Sequence, residues 1–121
     1  VAQAVALLRG VQEQSQAEAA MRALGRLINE SHASLDKLYE VCTPPVSKLV
    51  DIICADAQVY GARLMGGGFG GNVLALTVAD NVSPLIDRVQ REYYEPQGRD
   101  GFNEGAVMIS TPGDGLSAIE L

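Results

Sequence analysis

Apolar side chains along this chain recur first at helical spacing and then at strand spacing, and the period changes at Tyr60. Val5, Leu7 and Leu8 run up to Gly10, the pattern of a short helix with glycine just past its last turn. Ser15 and Glu18 then form S-x-x-E, a capping box that predicts the start of a second helix. Its apolar stripe is Ala17, Met21, Leu24, Leu27, Ile28, Leu35 and Leu38, so this longest element is expected to reach about Leu38. Glu18 and Arg22, four apart, add a surface pair. Thr43-Pro44-Pro45 predicts a third start, with Thr43 as cap and proline in the first turn, where its missing N–H does no harm. Val46, Leu49, Val50 and Ile53 give this helix a buried face, and it is expected to fray at Asp56–Gln58.

Beyond Tyr60, Ala62–Met65 and Asn72–Val78 read as two strands joined by Gly66–Gly71. Asn81-Val82-Ser83-Pro84 is the expected cap of a fourth helix carried through Leu85, Ile86, Val89 and Tyr93. Asp87/Arg91 and Arg88/Glu92 are expected to pair on its outer face. Gly98–Gly105 reads as loop, Ala106–Ser110 as a strand, Thr111–Gly115 as a turn and Leu116–Ile119 as a last strand. No repeat, low-complexity tract or linker interrupts this order. It predicts an α+β sandwich: a four-stranded, mostly antiparallel sheet with helices packed on one face.

Composition narrows the class. At 121 residues and 47% apolar the chain can close a core, which excludes intrinsic disorder. No apolar run approaches the roughly 20 residues of a membrane-spanning helix. Nine basic against 15 acidic residues give a net charge of −6, so a nucleic-acid or anionic-membrane partner would repel the chain. Trp is absent and aromatics are 5%, against a base-stacking platform. Cys42 and Cys54 are the only thiols and His32 the only histidine, too few soft ligands for structural zinc. The thiols read as reduced small hydrophobes of a cytoplasmic protein, ahead of a single disulfide. No basic stretch precedes the apolar run Val1–Leu8, so it does not read as a signal peptide. That run reads as a helix entered halfway, and the chain is expected to begin inside a longer protein.

The conspicuous feature is Met65-Gly66-Gly67-Gly68-Phe69-Gly70-Gly71, where five of the 13 glycines fall in six positions. Glycine permits positive φ and has no Cβ, so such a loop can bring peptide N–H groups against an anion or another surface. Gly66, Gly68 and Gly71 formally spell G-x-G-x-x-G, but that fingerprint needs a helix next, and Asn72–Val78 is a strand pattern. A P-loop fails too, since no Lys-Ser/Thr follows the glycines. The bland alternative is a flexible hairpin tip, disfavoured because so dense a run costs ordering entropy without evident packing gain. Gly61→Ala, outside the run, is expected to be milder than Gly68→Val or Gly70→Val if the φ of Gly61 is negative. Ser31 falls inside the apolar stripe of the long helix and His32 on its edge. Either Ser31 bonds back to a helix carbonyl while His32 caps the stripe at the surface, or this helix lines a cleft with polar residues facing ligand. Spacing alone favours the first. The acidic residues form no two-carboxylate or metal pattern.

Two segments together carry a resemblance: Leu24-Gly25-Arg26-Leu27-Ile28-Asn29-Glu30-Ser31-His32-Ala33-Ser34-Leu35, and Val59-Tyr60-Gly61-Ala62-Arg63-Leu64-Met65 with the glycine run. Both resemble the C-terminal half of galactokinases. The segment that ends in the glycine run is similar to the third motif of the wider galactokinase, homoserine, mevalonate and phosphomevalonate (GHMP) kinase superfamily. Asn-Glu-Ser-His-x-Ser-Leu, and Phe69 within the glycines, point to the galactokinase branch, and Pro112-Gly113-Asp114-Gly115 fits its C-terminus. The stretch Glu40-Val41-Cys42-Thr43-Pro44-Pro45-Val46-Ser47-Lys48-Leu49 stands in place of the usual Val-Ser-Cys-Pro-Glu-Leu-Asp and onward: the family's Glu and Asp are here Pro45 and Ser47. Val11–Ala20 is also longer than the usual connection.

The resemblance implies the ferredoxin-like sandwich of the GHMP kinase C-terminal domain across residues 1–121. It also implies a parent that moves the γ-phosphoryl group of Mg-ATP to a hydroxyl of galactose or a related sugar. ATP, Mg2+ and most sugar contacts would then belong to an N-terminal domain, and no catalytic or metal-binding residue is expected in this chain. Gly66, Gly67, Gly68, Phe69, Gly70 and Gly71 would lie near the phosphates, with Asn29, Ser31 and His32 lining or supporting the cleft. The rival reading is a non-enzymatic ferredoxin-like module that binds a small ligand or a partner chain. No nucleic acid or membrane is expected as partner on either reading.

Overall fold

The change of period at Tyr60 is where the chain passes from helices to its sheet. A computed structural model describes residues 1–98, 106–111 and 113. Helix α1 (Ala2–Arg9) stops at Gly10, whose N–H returns to the Ala6 carbonyl at 3.1 Å. It buries none of its residues and lies along α2, leaving Val5 and Leu8 exposed.

Helix α2 (Gln14–Lys37) begins earlier than the capping box predicts. Its cap residue is Glu13, so Ser15 falls inside the first turn and makes no cap bond to the chain. The Gln12 N–H is taken instead by the Gln16 side chain at 3.1 Å. Glu18 turns outward to Arg22 at 2.8 Å and accepts the Tyr60 hydroxyl hydrogen, partners with more charge to offer than a terminal N–H. That bond to a carboxylate, with some burial, pushes the Tyr60 hydroxyl above its usual range. The Arg22 guanidinium sits over the Tyr60 ring, 5.6 Å from its centre.

Helix α3 (Pro44–Cys54) starts at the double proline, but Thr43 contributes its carbonyl, to Val46 and Ser47 N–H, and no side-chain cap. Beyond Cys54 the chain turns tightly rather than fraying, with the Asp56 carboxylate accepting the Gln58 N–H at 2.9 Å. Strands β1 (Val59–Leu64) and β2 (Val73–Thr77) pair antiparallel, Ala62 opposite Ala75 and Leu64 opposite Val73, with a bulge between Val59 and Gly61. A short 3-10 turn, Ala79–Asn81, leads into α4 (Val82–Val89). Asn81 is buried, yet it gives α4 no side-chain cap; its amide donates to the Thr77 hydroxyl at 3.1 Å. The predicted continuation to Tyr93 is a wider π turn, Gln90–Tyr94, then a 3-10 turn, Glu95–Gln97, closed by Gly98 at φ 67. Arg88 pairs with Glu92 at 3.2 Å, and Arg91 also turns to Glu92, not to Asp87.

Val50 and Ile53 of α3, Ala62 of β1, Leu85 and Val89 of α4, and Tyr93 form the core. Ala62 and Leu64 are fully buried, the end of β1 nearest the glycine run. The architecture is α+β with an antiparallel sheet, but among the described residues that sheet has two strands, not four. Ala106–Ser110 is irregular and exposed throughout, so it has no face to bury and no ladder to join. On the other edge of β1 the Ala62 and Leu64 N–H groups are already taken by side chains of α2. Leu116–Ile119, and Pro112, Asp114 and Gly115 of the expected turn, lie outside the described residues. Among the described residues no helix is long and apolar enough to cross a membrane.

Candidate functional site

The loop between β1 and β2 closes on itself through Met65 N–H, which donates to the Asn72 carbonyl at 2.8 Å. Gly66, Gly68, Gly70 and Gly71 have φ of 88, 92, 128 and 110, values that side chains with a Cβ rarely adopt. Phe69 is left-handed as well, at φ 60, with its ring 79% exposed. The loop does not stand alone. Phe69 N–H donates to the Val41 carbonyl at 2.7 Å, tying the tip to the connection between α2 and α3. A Cβ on Gly68 would run into the Val41 side chain and carbonyl, whereas one on Gly66, Gly67 or Gly70 would meet open space. One wall of the loop is therefore packed and the other is free for an incoming group. Leu38, Tyr39 and Met65 are exposed as well.

Helix α2 supports β1 through one stripe. Gly25, Asn29, His32 and Asp36 recur at steps of four, three and four, one face of a helix. At Gly25 the two elements touch: a Cβ there would overlap the Tyr60 main chain, and one on Gly61 would overlap the Gly25 carbonyl. Asn29 Oδ1 accepts the Ala62 N–H at 2.9 Å, the Ser31 hydroxyl accepts from Arg63 at 2.8 Å, and His32 Nδ1 accepts the Leu64 N–H at 3.3 Å. An accepting Nδ1 places the ring hydrogen of neutral His32 on Nε2. So Ser31 does not bond back to its own helix, and His32 is not a surface cap. All three side chains are committed to the strand that feeds the glycine loop.

This commitment carries a prediction. His32→Ala leaves the N–H of fully buried Leu64 without its acceptor, which is expected to cost about 1–3 kcal/mol of stability. Urea unfolding of the variant against wild type measures it. Loss of under half a kilocalorie would mean that water replaces the imidazole at no cost.

Where α2 gives way to α3, Asp36 accepts the Ser47 hydroxyl hydrogen at 2.8 Å. Cys42 Sγ lies 3.9 Å from His32 Nδ1. Burial first, then the Asp36 carboxylate, pushes the Cys42 thiol up; burial also raises Cys54, against the lowering influence of the Ala62 main chain and with a smaller push from Asp51. Both thiols are free. Thiolate is the alkylating form, so iodoacetamide at pH 8 is expected to label both more slowly than free cysteine. Asp36→Asn is expected to speed labelling of Cys42 and leave Cys54 unchanged. Equal acceleration at both would show general loosening instead.

Asp36 and Val41 belong to this site although the sequence reading gave them no role, and Gly25, Gly61 and Ser47, which lie in the quoted segments, gain contacts there that the motifs did not announce. The regular spacing of Gly25, Asn29, His32 and Asp36 was the available signal. Nothing local announces that Val41 meets Phe69. Among the described residues no three of His, Cys, Asp and Glu come together as a metal site.

Residues 14–95 match the model of the GHMP kinases C-terminal family, more than half of the chain. The chain belongs to the GHMP kinases. Within them it is similar to galactokinases: 39% identical over 89 residues to that of Bos taurus, covering 69% of this chain and 23% of the relative. It is 34% identical over 106 residues to that of Saccharomyces cerevisiae, covering 83% and 20%. The solved galactokinase of Lactococcus lactis, complexed with galactose, superposes with a TM-score of 0.61 at 38% identity, over 70% of this chain and 22% of that one. This GHMP kinase chain thus spans about a fifth to a quarter of the length of the relatives it matches. The kinship leaves the reading as an unrelated ligand-binding module without support.

Proposed function

We propose that residues 1–121 act as the C-terminal domain of a cytoplasmic, galactokinase-like sugar kinase, which moves the γ-phosphoryl group of Mg-ATP to a sugar hydroxyl. The observation that carries this reading is the glycine loop. Four of its glycines hold left-handed φ, one wall is docked on Val41, and Gly66, Gly67 and Gly70 face open space. Such a loop can bring main-chain N–H groups against phosphate oxygens, where no side chain could approach as closely.

Phosphoryl transfer relies on positioning and on stabilising charge, so a rigid wall beside the phosphates is a contribution in itself. In this scheme the Mg2+ ligands, the group that orients the sugar hydroxyl and most sugar contacts lie in an N-terminal half. The exposed Leu38, Tyr39, Met65 and Phe69 would be covered by that half. Asn29, Ser31 and His32 serve by holding β1, and none of them touches the reacting groups.

The test compares two proteins, this chain alone and the longer protein that contains it, each assayed with ATP and galactose. The longer protein is expected to phosphorylate the sugar and the isolated chain to do nothing. Turnover by the isolated chain would overturn the division of roles, and none by the longer protein, with galactose or its epimers, would overturn the kinase reading.

A further inference from the structure

The dock between Val41 and the glycine loop depends on a turn that is itself unfavourable. Glu40 is left-handed, at φ 52, and brings the Val41 N–H back to the Leu35 carbonyl of α2 at 3.1 Å. The Val41 carbonyl is thereby aimed at the Phe69 N–H, 2.7 Å away. A non-glycine residue in that conformation persists only where its surroundings impose it. The surroundings here are Asp36 at the end of α2 and Ser47 in the first turns of α3, which bracket residues 38–43 and share a 2.8 Å hydrogen bond. Both Asp36 and Ser47 are half-buried, so the bond is shielded from competing water.

We propose that Asp36 is a positioning residue for the glycine loop: held by the Ser47 hydroxyl, its carboxylate sets the 38–43 connection so that the Val41 carbonyl meets the Phe69 N–H. The proposal rests on the reading of that loop as the phosphate-facing wall of a sugar kinase. Asp36 touches no substrate and acts through Val41. Losing the bracket frees the turn at Glu40 to relax, the carbonyl swings away, and the loop keeps its hairpin closure at Met65 but loses its packed wall. β1 keeps its bonds to Asn29 and His32, so the strand stays in place while the loop tip moves.

The experiment uses the full protein and reads hydrogen exchange at single amides beside steady-state kinetics. Asp36→Ala and Ser47→Ala are each expected to speed exchange at Phe69 at least about tenfold, with Ala62 and Leu64 unchanged. KM for ATP is expected to rise about fivefold or more, with kcat reduced less, since a misplaced phosphate wall first weakens binding. Asp36→Asn keeps an oxygen for Ser47 and is expected to recover most of both readouts. Unchanged exchange at Phe69 in both alanine variants would overturn the proposal. So would equal acceleration at Ala62, Leu64 and Phe69, which is general loosening. The expected exchange pattern in a protein that phosphorylates no sugar would uphold the bracket and overturn the kinase reading, so the two fail separately.

Discussion

Gly68→Val is expected to lower kcat/KM of the proposed sugar kinase by about a hundredfold or more, because displacing a positioning wall by an ångström has that order of effect. Two causes act together at this position. The φ of 92 penalises any Cβ, and the new side chain must enter space held by the Val41 side chain and carbonyl. Val41 cannot yield without giving up its bonds to Leu35 and Phe69, so the loop tip must undock. The hairpin itself survives, since Met65 and Asn72 still pair and the core is built by α3, α4, Ala62 and Tyr93, none of them in the loop. The melting temperature is therefore expected to fall modestly, for a cost of about 1–3 kcal/mol. Gly70→Val, with φ 128 but open space around it, meets strain alone and is expected to be milder. Gly67→Ala has neither positive φ nor a neighbour and is the control, expected within about twofold of wild type. Kinetics and thermal melts of the three variants check the order. Equal activity for Gly68→Val and Gly67→Ala would reduce the loop to a passive hairpin tip.

Gly61→Ala is expected to have the largest effect on folding, about 3–5 kcal/mol or outright failure to fold. The sequence reading makes Gly61 a tolerant position, and the structure reverses that. Its φ lies outside the left-handed range, so conformation is not the obstacle. The obstacle is main chain: a Cβ would overlap the Gly25 carbonyl and come within 2.9 Å of Asn29 Oδ1. Neither can shift alone, because Asn29 holds Ala62 and the helix carbonyl belongs to the α2 ladder. Gly25→Ala meets Tyr60 main chain from the other side and is expected to cost a similar amount. Because the two share one contact, the double variant should cost less than the sum of the singles. Denaturant titration of both singles and the double measures this. Stability within 1 kcal/mol of wild type for Gly61→Ala would mean that α2 can retreat from β1.

The candidate site was legible in outline. Five glycines around one phenylalanine, followed by a strand pattern, identified the loop and excluded a dinucleotide fold. Asn29, Ser31 and His32 were picked out as polar residues on an apolar helix, but their partners were not legible. Ala62, Arg63 and Leu64 lie about thirty residues downstream, and periodicity gives no information on which strand edge a helix will satisfy.

What the sequence determined by itself is what depends on neighbours within a turn or two. Apolar spacing placed α2, α3 and the two strands to within a few residues, and Gly10 and Pro44 marked boundaries because φ restriction and a missing N–H are local properties. Glycine density placed the loop for the same reason. Tertiary structure decided everything that needed a distant partner. Glu18 left its capping box for Tyr60, and Asn81 left its helix for Thr77, since each found a better-placed group across the fold. Ala106–Ser110 has strand-like residues but no strand, because a ladder's hydrogen bonds must come from another segment and none of the described residues pairs with it. Gly61 is the sharpest case. Only the approach of α2, fixed by packing some thirty-five residues away in sequence, turns a permissive position into one where a single methyl group has nowhere to go.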